Sequence, residues 1–226
     1  MKIIENLYVV PGVVANPYVI ADEDGLTIID AGIPGSHRKI LAYVEGLGKS
    51  PTDVKRIILT HSDMDHVGGL AALQAATGAR TYTSQIEADA IARGKPSRPI
   101  QAQGFSWRRT LMRLLAPIIG PRPFKVDEIL KDGQTLPVLG GLRVVETIGH
   151  TPGHISLYAP AAGVLFCGDS MRTNESGPIL ATPAALTWDA DKAKESMRKQ
   201  AALGARILCP GHGPVLRDAA AKITVP

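Results

Sequence analysis

Lys55-Arg56-Ile57-Ile58-Leu59-Thr60-His61-Ser62-Asp63-Met64-Asp65-His66-Val67-Gly68-Gly69 is the stretch on which the reading turns. Its first six residues form a β-branched and apolar run that reads as a short buried strand. The run ends in a burst of two imidazoles and two carboxylates. Gly68-Gly69 then leads into Leu70-Ala71-Ala72-Leu73-Gln74-Ala75-Ala76, good helix formers stopped by Gly78. A strand-to-helix turn of this kind is a usual place for a rigid scaffold to display reactive groups. A solvated turn with a helix N-cap needs one such polar residue, whereas this turn carries four. Asp63 and Asp65 would repel each other unless a cation neutralised them. Metal binding is therefore the expectation for this stretch.

Working outward, the same arrangement recurs. The strand 141–148 ends in Gly149-His150-Thr151-Pro152-Gly153-His154, the strand 163–167 in Gly168-Asp169-Ser170, and the last strand, 206–209, in Pro210-Gly211-His212-Gly213. Towards the N-terminus, 3–10 and 13–21 read as two strands joined at Pro11-Gly12, and 25–30 as a third that ends in Asp30. Helices are expected from His37 to about Leu47 behind Ser36, from about Val67, after Ser84, and from Trp188-Asp189 to about Leu203. A strand-like stretch spans 128–139 around the turn signal Asp132-Gly133. Strands alternating with helices make the fold class α/β. No linker rich in Gly, Ser or charge divides the chain, so residues 1–226 are expected to form a single domain with an insertion at about 94–125. Within the insertion, 105–119 places Trp107, Leu111, Leu114, Leu115 and Ile118 on one face of a helix. That helix could pack on the core, wall the substrate site, or meet a membrane surface or partner. Its apolar face could also make a homodimer contact.

Composition narrows the classes. The chain has 226 residues, 45% hydrophobic and 20% charged, which suits a globular protein with a sizeable core. A net charge of +4 is too small and dispersed to signal nucleic-acid binding. Two cysteines, Cys167 and Cys209, supply no disulfide framework and are expected to be reduced and buried. No run approaches the roughly eighteen apolar residues of a membrane span. The N-terminal residues lack a signal-peptide core. A cytoplasmic protein with a small-molecule substrate is expected.

Seven candidate ligands, His61, Asp63, Asp65, His66, His150, Asp169 and His212, are too many for one tetrahedral ion and suit two ions sharing a carboxylate. Two adjacent divalent ions activate water and polarise a carbonyl or phosphoryl oxygen, which is hydrolytic chemistry. No Gly-x-Ser-x-Gly elbow, phosphate-binding Gly-rich loop or dinucleotide fingerprint is present.

The ordered set His61-x-Asp63-x-Asp65-His66, Gly149-His150-Thr151-Pro152-Gly153-His154, Gly168-Asp169 and Gly211-His212-Gly213 resembles the metallo-β-lactamase fold superfamily. The resemblance runs from about Asp30 to Pro214. It implies a four-layer αβ/βα sandwich with a metal site at one edge. By the family's arrangement, His61, residue 63 and His150 would form one site. Asp65, His66 and His212 would form the other, with Asp169 between them and Asp65 also orienting the attacking water. The chain departs from the commoner pattern in having Asp63 where the family usually has histidine, as in relatives resembling the hydrolase domain of DNA-uptake channel proteins. That oxygen ligand shifts the preference from zinc towards manganese or iron, with zinc still the leading ion, and weakens the first site. The resemblance implies a metallo-hydrolase acting on a lactone, thioester or β-lactam-like bond, with a phosphodiesterase behind. The alternative from another class is a mononuclear iron oxidoreductase of the persulfide dioxygenase type. Asp30 is expected behind the site, orienting ligands. His154 and Ser156 are expected to hydrogen-bond the ligand loops, His37 to face solvent, and Arg172 either to meet an anionic substrate or to lie on the surface.

Overall fold

The computed structural model describes residues 1–99, 122–174 and 179–223. A seven-stranded sheet takes β1 (Lys2–Ile4), β2 (Leu7–Val9), β3 (Tyr18–Asp22), β4 (Gly25–Ile29), β5 (Val54–Ile58), β6 (Arg80–Thr83) and β7 (Glu128–Ile129) in that spatial order. Its first four strands pair antiparallel and the steps from β4 to β7 are parallel. The second sheet holds β8 (Thr135–Leu136), β9 (Leu142–Glu146), β10 (Ile155–Ala159) and β11 (Val164–Gly168). After a two-stranded ribbon of β12 (Met171–Arg172) and β13 (Leu180–Ala181), it is completed by β14 (Ile207–Pro210) and β15 (Leu216–Arg217). The order is β15-β14-β11-β10-β9-β8, with β11 and β14 parallel.

The two sheets face each other across a shared core. Ile20, Ile29 and Ile58 point inward from the first sheet and meet Val144, Leu157 and Phe166 of the second. The alternate residues Val19, Ile28 and Ile57 point the other way, onto helices. Strands buried on both faces read as continuous apolar runs, which is why 26–29 and 57–59 look as they do in sequence. Helices α1 (His37–Gly46), α3 (Leu70–Thr77) and α4 (Gln85–Ala92) cover the first sheet through Ile40, Val44, Leu73 and Ile91, with the single turn α2 (Met64–Val67) between them in sequence. Helix α5 (Ala190–Ala201) covers the second sheet through Met197, against Leu165 and Leu208. The result is helix, sheet, sheet, helix: the four-layer αβ/βα sandwich that the resemblance implies.

Several local expectations are corrected. Residues 3–10 are two strands, because the chain turns at Glu5-Asn6. Residues 13–17 are a loop, since Asn16 turns its amide onto the carbonyls of Pro210 and Gly213, at 3.0 and 2.8 Å. The strand-like stretch 128–139 is two short strands, β7 and β8, which lie on either side of the Asp132-Gly133 turn in different sheets, so the chain crosses between layers there. The helix expected from Val67 is broken at Gly68-Gly69. A Cβ on Gly68 would collide with Pro34 and one on Gly69 with the Ala31 carbonyl, so the two glycines set how closely the turn packs on the loop after β4. Ser36 precedes α1 but makes no capping bond. His37 is half-buried rather than solvent-facing. The 105–119 helix and the dimer contact assigned to it lie outside the described residues. Among those residues, no helix is long and apolar enough to cross a membrane.

Tyr18 and Phe166 join the two sheets edge to face, with ring centroids 5.3 Å apart, and the Tyr18 hydroxyl donates to the Pro210 carbonyl at 2.7 Å. Phe166→Ala should destabilise the protein by about 3–5 kcal/mol, as expected for emptying a buried aromatic site, and Tyr18→Phe by about 1 kcal/mol, the value of one hydrogen bond. Urea unfolding followed by circular dichroism measures both.

Candidate metal centre

Asp30 and the seven candidate ligands all follow strands at the same edge of the sandwich. Asp30 follows β4, the run 60–66 follows β5, His150 follows β9, Asp169 follows β11 and His212 follows β14. Asp30 is buried with a left-handed backbone, φ 60°. That conformation costs most residues about 1–2 kcal/mol, and Asp is among those that tolerate it. Its carboxylate accepts from the Thr60 backbone N–H at 2.9 Å, the Thr60 hydroxyl at 2.9 Å and His66 Nδ1 at 2.8 Å. Thr60 Oγ1 has one proton, which goes to the carboxylate, so its 2.9 Å contact with His61 Nδ1 is accepted from the imidazole. Both His61 and His66 therefore carry an Nδ1 proton that they donate to these partners, and their Nε2 atoms face the interior of the site.

Those Nε2 atoms lack hydrogen-bond partners although they are buried, and so does Asp169 Oδ1. His66 Nε2 and Asp169 Oδ1 lie 3.3 Å apart. Unpartnered buried acceptors are costly unless something positive joins them. His61, His66 and Asp169 offer atoms within 4.8 Å of one another; so do His61, Asp63 and His150, and so do Asp65, His66 and His212. Imidazole nitrogens and carboxylate oxygens in these groupings fit a divalent transition metal. Asp169 Oδ2 reaches both ends, 3.8 Å from His150 Nε2 and 3.4 Å from His212 Nε2. His212 Nε2 also contacts Asp65 Oδ2 at 3.0 Å. All seven candidate residues thus converge on one edge. A Cβ on Gly211 would overlap Asp169 Oδ1, so the His212 loop approaches this closely only because that position is glycine.

The charges follow the geometry. Burial and the neighbouring His66 and His150 hold His61 well below the ordinary histidine pKa. Burial opposes charge on His66 too, but Asp30 and Asp169 on either side outweigh it and raise its pKa well above the usual value, so an ion bound at Nε2 would take the place of a proton there. Burial would raise Asp169, yet His66, His212 and His150 keep it well below the carboxylate range. Asp63 is likewise opposed by burial, and hydrogen bonds from His150 and Arg98 bring it down to about 2.

His154 stands behind the cluster. Its Nε2 accepts the Asp169 backbone N–H at 3.1 Å, so its Nδ1 proton goes to Thr147 Oγ1 at 2.8 Å. Burial lowers its pKa to about 3, which keeps it neutral in that role. Ser156 continues the chain through Thr147 and Gln200. Cys167 and Cys209 are free and buried.

Two residues that sequence reasoning passed over are part of this arrangement. Glu87 of α4 is fully buried and accepts four hydrogen bonds: from the Ser62 N–H at 2.9 Å, the Ser97 hydroxyl at 2.9 Å, the Thr151 hydroxyl at 2.6 Å and the Gly153 N–H at 3.0 Å. It ties the loops after β5 and β9 to one helix. Its sequence context, Gln85-Ile86-Glu87-Ala88, is that of an ordinary helix and carries no signal. Arg98, at the start of the expected insertion, sets Nη2 2.6 Å from Asp63 Oδ2. A basic residue shortly before Pro99 is equally unremarkable in sequence.

With this geometry in view, the chain can be compared with known proteins. Residues 10–212 match the family described as the metallo-beta-lactamase superfamily. A probable metallo-hydrolase of Bacillus subtilis, YflN, is 29% identical over 220 residues, covering 88% of this chain and 81% of that one. A hydroxyacylglutathione hydrolase of Cereibacter sphaeroides is 29% identical over 161 residues, 70% of this chain but 48% of that protein. A solved metallo-beta-lactamase family protein of Thermus thermophilus shares the fold with a TM-score of 0.73 at 24% identity, over 96% of this chain and 76% of that one.

Glu87→Gln should destabilise the protein by about 2–4 kcal/mol, because the new amide turns a donor towards the buried Ser62 N–H and neutral bonds replace charge-assisted ones. Denaturant unfolding reads this directly. Unchanged stability would mean that the bracket carries little of the loop order.

Proposed function

Since the chain belongs to the metallo-beta-lactamase superfamily, we propose that it is a metal-dependent hydrolase of an ester-like bond in a small molecule, a thioester or lactone before a β-lactam-like amide. The observation that carries this reading is the set of buried, partnerless acceptors on His61, His66 and Asp169, all aimed into one space. The thioester preference draws on the similarity to a hydroxyacylglutathione hydrolase.

The ligands we assign are His61, Asp63 and His150 at one half-site and Asp65, His66 and His212 at the other, with Asp169 between. Zinc is the leading ion, with manganese or iron also matched to this mix of nitrogen and oxygen. Divalent ions bound there would lower the pKa of water and polarise the substrate carbonyl.

The protein's own residues do the rest. Asp30, Thr60 and His154 keep the imidazoles and the Asp169 loop in place, so the donors need no reorganisation during turnover. Asp65 is the most exposed carboxylate of the set, with its side chain 31% accessible, so water and substrate reach it. His212 Nε2 holds one of its oxygens. Asp65 orients the attacking water and takes up its proton at a carboxylate oxygen. That proton leaves with the alcohol or thiol as the acyl–oxygen or acyl–sulfur bond breaks, and the acyl group departs as a carboxylic acid.

Chelator-treated protein should lose hydrolysis of a thioester and lactone panel and regain it with zinc or manganese. In metal-loaded protein, Asp65→Asn should lower kcat by about 10²–10⁴-fold with an unchanged circular dichroism spectrum. Wild-type turnover by Asp65→Asn would remove that residue from the chemistry. Absence of hydrolysis by every metal-loaded form, or oxygen-dependent turnover of persulfides with iron as the metal, would overturn the hydrolase reading.

A further inference from the structure

Asp63 occupies the N-cap position of α2 yet makes no capping hydrogen bond. Its carboxylate is committed elsewhere. Arg98 approaches it with two nitrogens, Nη2 at 2.6 Å and Nε at 3.2 Å from Oδ2, and Nε is also 3.4 Å from Oδ1. Oδ2 is the same oxygen that faces His150 Nε2 at 3.2 Å and His61 Nε2 at 3.9 Å. The pair is mostly shielded from water, with side chains 19% and 13% accessible, so its attraction is only partly screened. Arg98 is also held in place from behind. The backbone N–H of its neighbour Ser97 donates to Ser62 Oγ at 2.9 Å, and the Ser97 hydroxyl donates to Glu87.

The other half-site differs in charge. Asp65 and Asp169 contact histidines, and among the described residues neither pairs with an arginine or lysine. Asp65 and the shared Asp169 thus have only imidazoles for counter-charge, which give it up when they ligate an ion, whereas Asp63 keeps a permanent one in Arg98.

Resting on the metal-site reading above, we propose that Arg98 is a built-in counter-cation that competes with a metal ion for Asp63 Oδ2, so that the two half-sites fill unequally. The Asp65, His66 and His212 half-site, with Asp169, fills first. An ion entering among His61, Asp63 and His150 must displace the guanidinium from the oxygen it needs, and then has a fixed positive charge beside it. Arg98 therefore sets the ion concentration at which the second metal is taken up, and a guanidinium does this better than an ammonium because its planar fork engages the carboxylate at two points.

Calorimetric titration of chelator-treated protein with zinc, and separately with manganese, tests this. The wild-type protein should bind one equivalent tightly and a second at least about tenfold more weakly. Arg98→Met keeps the side-chain stem and removes the charge. It should tighten the second equivalent by about ten- to a hundredfold, the size of a lost charge-assisted contact, and leave the first within about threefold. Arg98→Lys, a milder change, should tighten the second equivalent by a smaller factor. Equal affinities in the wild-type protein, or a second equivalent weakened in Arg98→Met and in Arg98→Lys, would overturn the proposal and make Arg98 a brace that presents Asp63 to the ion. Failure of the wild-type protein to bind either ion would overturn the metal-site reading itself.

Discussion

The site depends first on the buried carboxylate of Asp30. It gathers the Thr60 amide, the Thr60 hydroxyl and His66 Nδ1, and through Thr60 it decides which nitrogen of His61 carries the proton. One group behind the site thus turns two imidazole lone pairs towards the interior. Without it, either ring could rotate or change tautomer and the inward-facing acceptors would be lost. The position demands a left-handed backbone, and the side chain that satisfies the local hydrogen bonds is also one that tolerates that conformation. Local strain and ligand geometry are met by one residue.

The sandwich supplies the rest by bringing distant strand ends to one edge. Parallel pairing of β4 with β5 aligns Asp30 with the loop that carries His61 and His66, and parallel pairing of β11 with β14 aligns Asp169 with His212. Side chains alternate along these strands, so the residues that secure the two sheets to each other and to the helices also fix where the loops leave. Glu87 then adds a constraint across layers, because a helix on the outer face of the first sheet grips loops that follow β5 and β9. Order at the site is therefore distributed over all the layers on its side of the molecule.

Much of this was legible in the sequence because it is written in short-range chemistry. A polar burst after an apolar run, repeated four times beside Gly or Pro, marks strand-end loops, and the two-sided burial of parallel strands marks the sheets. The convergence of His150, Asp169 and His212 on the 60–66 loop was inferred from the resemblance, and the structure places them together. What escaped was chemistry set by long-range packing. Glu87 looks like any helical glutamate until its four donors arrive from residues 62, 97, 151 and 153. Arg98 looks like a loop arginine until the fold brings it to Asp63. The turn at Asp132-Gly133 was legible, but a local turn signal says nothing about a crossing between sheets. Residues 13–17 lost their expected strand to Asn16, whose partners lie at the other end of the chain.

That last contact bears on when the protein can become functional during its synthesis. Tyr18 and Asn16 hold the Pro210–Gly213 loop across about 190 residues of sequence, as seen in the separation of 192 between Tyr18 and Pro210. The first strands can leave the ribosome and pair among themselves, but the loop that carries His212 has no anchor until β14 has emerged and docked. Long-range closure of this kind is slow and comes late in folding. A growing chain therefore displays His61 and His66 well before His212 can join them.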